Sequence, residues 1–169
     1  MPAHARVSER ALAPFEQLRL AREVVRGEAN TLLALADRLG EEFCQAASLI
    51  AATRGSIIVS GIGKAGWIGQ KISATLASTG TPSVFLHPSE ALHGDLGRIK
   101  RDDIALVLSF SGQTEEIVRM LPALAELSVP LIAVTGQTQS DLARRAVITL
   151  DLGSIQEACP LNLAPTAST

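Results

Sequence analysis

Tyrosine is absent from this 169-residue chain, tryptophan occurs once, and aromatic residues total 3%. The core must therefore come from Ala, Leu, Ile and Val, and platforms for stacking nucleic-acid bases are hard to assemble from so few rings. Neither sign of charge is in excess: 15 basic residues stand against 17 acidic ones, without a polybasic run. That balance argues against a nucleic-acid or anionic-membrane partner. Cysteine is scarce, and Cys44 and Cys159 lie too far apart in sequence for a disulfide framework or a metal knuckle. A reduced, cytoplasmic setting follows. Long apolar runs are missing, since stretches such as Ile104 to Leu108 cannot span a bilayer. Met1 to Arg10 are polar and hold no signal-peptide core. What remains is 47% hydrophobic and 19% charged residues in a chain of one-domain length. Such a chain can bury about 70% of its unfolded surface, and its composition is not that of a disordered segment.

Met1 to Pro14 reads as a loose, flexible tail. From Phe15 to Leu39, apolar residues recur at helical spacing among Arg and Glu, and Gly40 breaks the pattern. A second helical stretch covers Glu41 to Thr53. The periodicity then changes. Short, nearly continuous apolar runs at Ser56–Ser60, Ser83–Leu86, Ile104–Phe110, Leu131–Thr135 and Val147–Leu152 predict five strands. Helical stretches at Ala65–Thr79, Thr114–Leu127 and Ser140–Arg145 separate several of them, with Pro122 a potential kink and Ser140 a potential N-cap. Strands without polar alternation are buried on both faces, so the expected fold is an α/β three-layer sandwich around a five-stranded parallel sheet. Ligands of such sheets sit beyond the carboxyl ends of the strands. That rule selects the loops Gly61–Gly66, His87–Gly97, Ser111–Glu116 and the segment from Gly153 onward.

Each loop carries a candidate motif. Gly61-Ile62-Gly63-Lys64-Ala65-Gly66 fits G-x-G-x-x-G, but the second strand ends in His87-Pro88 rather than the acidic residue a dinucleotide site requires. Trp67 after Gly66 excludes a P-loop. A tight turn accounts for the glycines and leaves Lys64 as a cation suited to an anionic ligand or a developing oxyanion. In Ser109-Phe110-Ser111-Gly112-Gln113-Thr114-Glu115-Glu116, two hydroxyls flank a strand end, and a glycine brings the backbone close to a ligand. A third hydroxyl stands where a helix begins, so the stretch can cradle a phosphate. A capping box explains only part of it. His87 and His93 share a loop with Glu90 and Asp95, suited to acid/base work on a sugar hydroxyl more than to a metal. Glu157, beside an apolar turn limited by Pro160, is a candidate base with a raised pKa.

Four segments together, SGIGKAG (Ser60 to Gly66), ASTGTPSVFLHPSEALHGDLG (Ala77 to Gly97), SFSGQTEE (Ser109 to Glu116) and EACPLNLAPTAST (Glu157 to Thr169), resemble the sugar isomerase (SIS) domain of the arabinose-5-phosphate isomerase family. The resemblance covers Ser56 to Thr169, with the helical N-terminal segment also fitting, and implies a flavodoxin-like SIS domain over 15–169. It implies an aldose–ketose isomerase that interconverts D-ribulose 5-phosphate and D-arabinose 5-phosphate through a cis-enediol and supplies lipopolysaccharide or capsule synthesis. No cofactor is implied. By the same resemblance Ser109, Ser111 and Thr114 hold the phosphate. Lys64, Glu116, Glu157 and His93 carry catalysis, and Ser60, Gly80, Thr81, His87 and His93 are further substrate contacts. His87 also falls on a position associated with inhibitory zinc. A homo-oligomer, by family a tetramer, is implied, and the apolar faces of the N-terminal helix suit such an interface.

Family members continue past the APTAST turn with another helix, a further catalytic histidine and regulatory CBS modules. A chain that stops at Thr169 is therefore expected to have impaired isomerase activity. The alternative is a non-catalytic, regulatory sugar-phosphate-binding SIS module. A 6-phospho-3-hexuloisomerase fits the length but not the HGD and EACPLNLAPT segments.

Overall fold

The computed structural model describes residues 12–159, 161 and 164–168. Two runs of β-branched and aliphatic residues, β1 (Ile57–Gly61) and β3 (Ile104–Leu108), are buried at every position. They pair in parallel with Ile57 opposite Ile104 and Gly61 opposite Leu108. Around them lie β2 (Ser83–Phe85), β4 (Leu131–Thr135) and β5 (Ile148–Asp151), in the sheet order β2-β1-β3-β4-β5 with every pair parallel. This is the expected doubly wound α/β fold. Its strand order reverses between β1 and β3, which opens a crevice at their carboxyl ends.

Alternate side chains of each strand enter opposite layers. On one face Ile58, Val107 and Ala133 meet Ile117, Met120, Leu121 and Leu124 of α5 (Glu115–Glu126), all at most 6% exposed. Those four positions recur at helical spacing, so one stripe of α5 is apolar and its other side is solvated. Pro122 is exposed, and the helix runs through it to Glu126. On the other face Ile57, Val59, Leu106 and Ile132 meet Ile68, Ile72 and Leu76 of α3 (Gly63–Ser78), with Ala46, Leu49 and Ile50 of α2 (Glu41–Ala52). Removing one such side chain, as in Leu121→Ala, leaves a cavity costing about 2–5 kcal/mol.

Helix α1 (Pro14–Arg38) differs from the rest: none of its residues is buried, and Phe15, Leu18, Val25, Leu32 and Leu33 stay exposed. Its last turn is tied to the sheet by Arg38, whose guanidinium meets the Asp151 carboxylate at 2.5 Å. The expected tail ends where α1 starts at Pro14, and residues 1–11 lie outside the described residues. The β2–β3 connection, read as loop, contains α4 (Pro88–Leu92) and a single 3-10 turn at Asp95–Arg98. Proline at the first helical position and a capping His87 ring were the available signals. The last described helix, α6 (Asp141–Arg145), is capped as expected: Ala143 N–H donates to Ser140 Oγ at 3.3 Å.

One buried charge fixes the amino end of the sheet. Asp103 is 3% exposed. It accepts Ser56 N–H at 2.8 Å and Lys100 N–H at 2.7 Å, joining the starts of β1 and β3. Asp103→Ala strands both donors. The expected cost is about 2–4 kcal/mol, read as a lower midpoint in urea unfolding; a variant that unfolds with the wild type refutes the assignment.

Candidate active site

The crevice is closed by two glycine turns. In the β1–α3 turn Gly63 adopts φ +60°. A Cβ on Gly66 would stand 2.8 Å from the Gly61 carbonyl oxygen, so close helix–strand packing accounts for that glycine. Lys64 follows in the first turn of α3, exposed. A cation there opposes the helix dipole by about 0.3–1 kcal/mol, so helix stability does not explain it.

The β3–α5 turn is a network of hydroxyls and amides. Ser109, 5% exposed, has its Oγ 3.0 Å from Thr114 Oγ1 and accepts Gly112 N–H at 3.1 Å. Gln113 N–H donates to Ser111 Oγ at 3.2 Å. Thr114 is the N-cap residue of α5, yet its hydroxyl makes no capping bond. The capping-box reading therefore does not apply, and the first amides of α5 have no side-chain acceptor at the cap. Unpaired amides at a helix start, with three hydroxyls beside them, form an anion-binding arrangement. Gly112, at φ +60°, is needed for a reason other than ligand approach: a Cβ would overlap Ser140 Oγ at 2.0 Å.

Ser109, Ser111 and Thr114 line a cavity of about 410 Å³ together with Glu157, Pro165 and Ser168. An adjoining, more apolar cavity of about 420 Å³ shares Ser109, Phe110 and Ser168 and adds Lys64. The structure thus gathers Lys64, the serine–threonine loop and Glu157 around one region. Glu116, half-buried, stands in the first turn of α5, two residues past Thr114. His87 and His93 flank α4, both exposed, with Ser89 N–H donating to His87 Nδ1 at 3.3 Å. Among the described residues no three His, Cys, Asp or Glu side chains cluster as a metal site, so His87 has no assembled zinc site around it.

Three expected contacts stand apart. Ser60 is 1% exposed, and its hydroxyl donates to the Leu86 carbonyl at 2.7 Å, tying β1 to the end of β2. Gly80 and Thr81 precede β2, and Ser83 is level with Ile57 at the start of β1. They therefore sit at the amino end of the sheet, about six residues of strand or ~20 Å from the Gly61 turn, and cannot line the crevice of their own chain.

Glu157 corrects another expectation. Its Oε2 accepts Thr166 N–H at 2.7 Å, Ala167 N–H at 2.9 Å and Thr166 Oγ1–H at 3.2 Å, and its Oε1 accepts the Ser168 hydroxyl. Burial pushes the carboxyl up, but these bonds, the Ser168 hydroxyl foremost, outweigh it and hold the pKa at about 2 rather than the ordinary 4.5. The pKa is lowered, not raised, because donors stabilise the charged form. The role of Thr166, Ala167 and Ser168 was missed, although three hydroxyl residues within the last four of the chain are a signal for carboxylate capture. The sign of the pH effect follows. A folded pKa below the unfolded one means that the clasp stabilises the fold fully above pH 4.5 and is lost as pH falls toward about 2. Thr166 and Ala167 amides are expected to lose exchange protection over that window in the wild type. Glu157→Gln is expected to remove the pH dependence; an unchanged acid limb in the variant contradicts the clasp.

A doubly wound parallel sheet with hydroxyls and helix-start amides gathered at its switch point defines the class: an α/β domain with its crevice at the strand ends. The SIS domain family matches residues 49–169, and the chain belongs to that family. It is 52% identical over 142 residues to arabinose 5-phosphate isomerase KdsD of Pseudomonas aeruginosa, covering 84% of this chain and 44% of that protein. It is 48% identical over 151 residues to a probable arabinose 5-phosphate isomerase of Haemophilus influenzae, covering 89% of this chain and 45% of the relative. The chain spans less than half the length of these curated relatives. Among solved structures, Escherichia coli CFT073 c3406 in complex with A5P superposes with a TM-score of 0.89 at 34% identity, covering 93% of this chain and 84% of that one. Among the described residues no helix is long and apolar enough to cross a membrane.

Proposed function

We propose that this domain binds a phosphorylated pentose and interconverts D-ribulose 5-phosphate and D-arabinose 5-phosphate in the cytoplasm. The observation that carries the reading is the cavity shared by Ser109, Ser111, Thr114 and Glu157, with Lys64 on its neighbour. The phosphate seats on the hydroxyls and the α5 amides, supplying binding energy away from the reacting carbons. A carboxylate, Glu116 or Glu157, removes the carbon-bound proton beside the carbonyl, and the proton returns to the neighbouring carbon of a cis-enediol. Lys64 offsets charge developing on the enediolate oxygen. His93 assists ring opening. The names of the relatives, all arabinose 5-phosphate isomerases at about half identity, support this substrate.

A homo-oligomer belongs to the proposal. Leu18, Val25 and Leu32 stand seven residues apart on an exposed face of α1, the spacing at which a second helix packs. Gly80 and Thr81 can reach a sugar only in the crevice of another copy. Light scattering is expected to report a dimer or larger, reduced by Leu32→Glu; a monomer with undiminished sugar binding contradicts this part.

The test of the activity is formation of arabinose 5-phosphate from ribulose 5-phosphate, with calorimetry on the same sugar. Turnover supports the isomerase. Binding without turnover selects the non-catalytic sugar-phosphate module, and no binding by the folded protein removes both.

A further inference from the structure

The two candidate carboxylates are not equivalent in their hydrogen bonding. A carboxylate offers four lone-pair sites on two oxygens. At Glu157 three donors converge on Oε2 and a fourth on Oε1. Every donor comes from the turn at 166–168, and Ala158 N–H adds a fifth tie by donating to Thr166 Oγ1 at 3.0 Å. A general base needs a free lone pair aimed at the proton it removes, and a proton affinity suited to working pH. Glu157 has both lone pairs of Oε2 and one of Oε1 committed. Accepting a proton on Oε2 would break at least one of these bonds and loosen the turn.

The turn itself borders the site. Ala164, Pro165 and Ser168 line the cavity of the Ser109–Thr114 loop, and Pro165, Ala167 and Ser168 line the neighbouring cavity of Lys64. Apart from the Glu157 bonds, only the Ala158 N–H bond to Thr166 Oγ1 joins 166–168 to the rest of the chain by a side-chain hydrogen bond among the described contacts. The Glu116 side chain, in contrast, makes no hydrogen bond or ion pair among the described residues. It is half-buried beside the same loop.

We infer that Glu157 is a positioning residue, whose carboxylate clasps the 164–168 turn as a wall of the sugar-phosphate cavity, and that the proton-abstracting base is Glu116. This rests on the isomerase reading above. It gives the carboxylates separate tasks: one stays ionised and immobile to shape the cavity, the other stays available to exchange a proton.

The experiment compares Glu157→Gln with the double variant Thr166→Val/Ser168→Ala, which removes the two hydroxyl donors of the clasp and leaves its two amide donors. Steady-state kinetics with ribulose 5-phosphate, the pH profile of kcat/KM, calorimetry and amide exchange are recorded for each. Both variants are expected to raise KM and Kd about tenfold, the size of one or two lost hydrogen bonds. Both should leave kcat within about threefold, far less than removal of a general base costs. The acid limb of the pH profile should stay in place, and exchange of the remaining 166–168 amides should quicken. A hundredfold fall in kcat at unchanged KM for Glu157→Gln, the order expected for a lost base, overturns the inference. So does an acid limb that moves to higher pH in the double variant, because only a titrating base responds to the loss of its donors. If the wild type neither binds nor converts the sugar, the isomerase reading has failed. The clasp then stands or falls on amide exchange alone, and unchanged exchange in Glu157→Gln refutes it.

Discussion

Gly112→Ala is expected to destabilise this domain strongly and to disable its phosphate loop. Gly112 lies at φ +60°, where a Cβ costs about 1–2 kcal/mol. The added carbon would also stand 2.0 Å from Ser140 Oγ and 2.5 Å from Ser140 Cβ. Ser140 cannot yield freely, because its hydroxyl caps α6 through Ala143 N–H. Leu142 N–H further binds the Gly112 carbonyl at 3.2 Å. Relief must come from the turn, which moves Gly112 N–H off Ser109 Oγ and opens the phosphate cradle. The expected destabilisation is about 3–5 kcal/mol, or a fall in Tm of about 6–20 °C for a domain of this size, with loss of sugar-phosphate binding. Two controls separate the causes. Gly63→Ala shares φ +60° but meets nothing within 4 Å, so it should lose only the conformational part. Gly97→Ala meets nothing within 4 Å either and has no positive φ, so it should melt within about 0.5 kcal/mol of the wild type. A Gly112→Ala protein no less stable than Gly63→Ala shows that the Ser140 contact is not limiting.

Glu116→Gln is expected to lower kcat by about 10²- to 10⁴-fold with little change in KM, the usual loss on removing a general base. Gln keeps the shape of the side chain and its place in the first turn of α5, so the fold should be unaffected. Glu115→Gln next to it is the control: Glu115 is exposed, and only a 3.9 Å pairing with Arg119 involves it, so turnover should persist. Lys64→Ala removes the cation for the enediolate and is expected to cost about 10²- to 10³-fold in kcat. Lys64 is exposed on α3, so this loss should come without a change in Tm. A Glu116→Gln protein with full turnover refutes the assignment of the base, and a Lys64→Ala protein with full turnover refutes the role of the cation.

Much of this architecture is written locally. The five strands are short apolar runs bounded by Gly, Pro and polar residues, and each was found within two residues of its observed limits. The parallel arrangement follows from the same runs, because strands with no polar alternation demand cover on both faces. The SxSGxT loop was legible because hydroxyls, a glycine and a helix start fall within six residues. The β2–β3 connection was read less well, since α4 is only five residues long and too short to show a period.

What the sequence alone determined is the sheet, its helical layers, the crevice at the strand ends, and the chemical types brought there: a lysine, three hydroxyls, two carboxylates. The tertiary structure decided which of them are available. Ser60 reads as a site hydroxyl until the Leu86 carbonyl, 26 positions away, accepts its O–H in a buried bond. Gly80 and Thr81 read as neighbours of the loop motifs until the direction of β2 puts them at the opposite end of the sheet. Glu157 reads as a base of raised pKa until the chain returns 9 to 11 residues later and sets donors on both of its oxygens. The physical reason is common to all three. Residue type and short-range period are properties of the local chain, whereas hydrogen-bond satisfaction and proton affinity depend on groups that only folding brings within 3 Å.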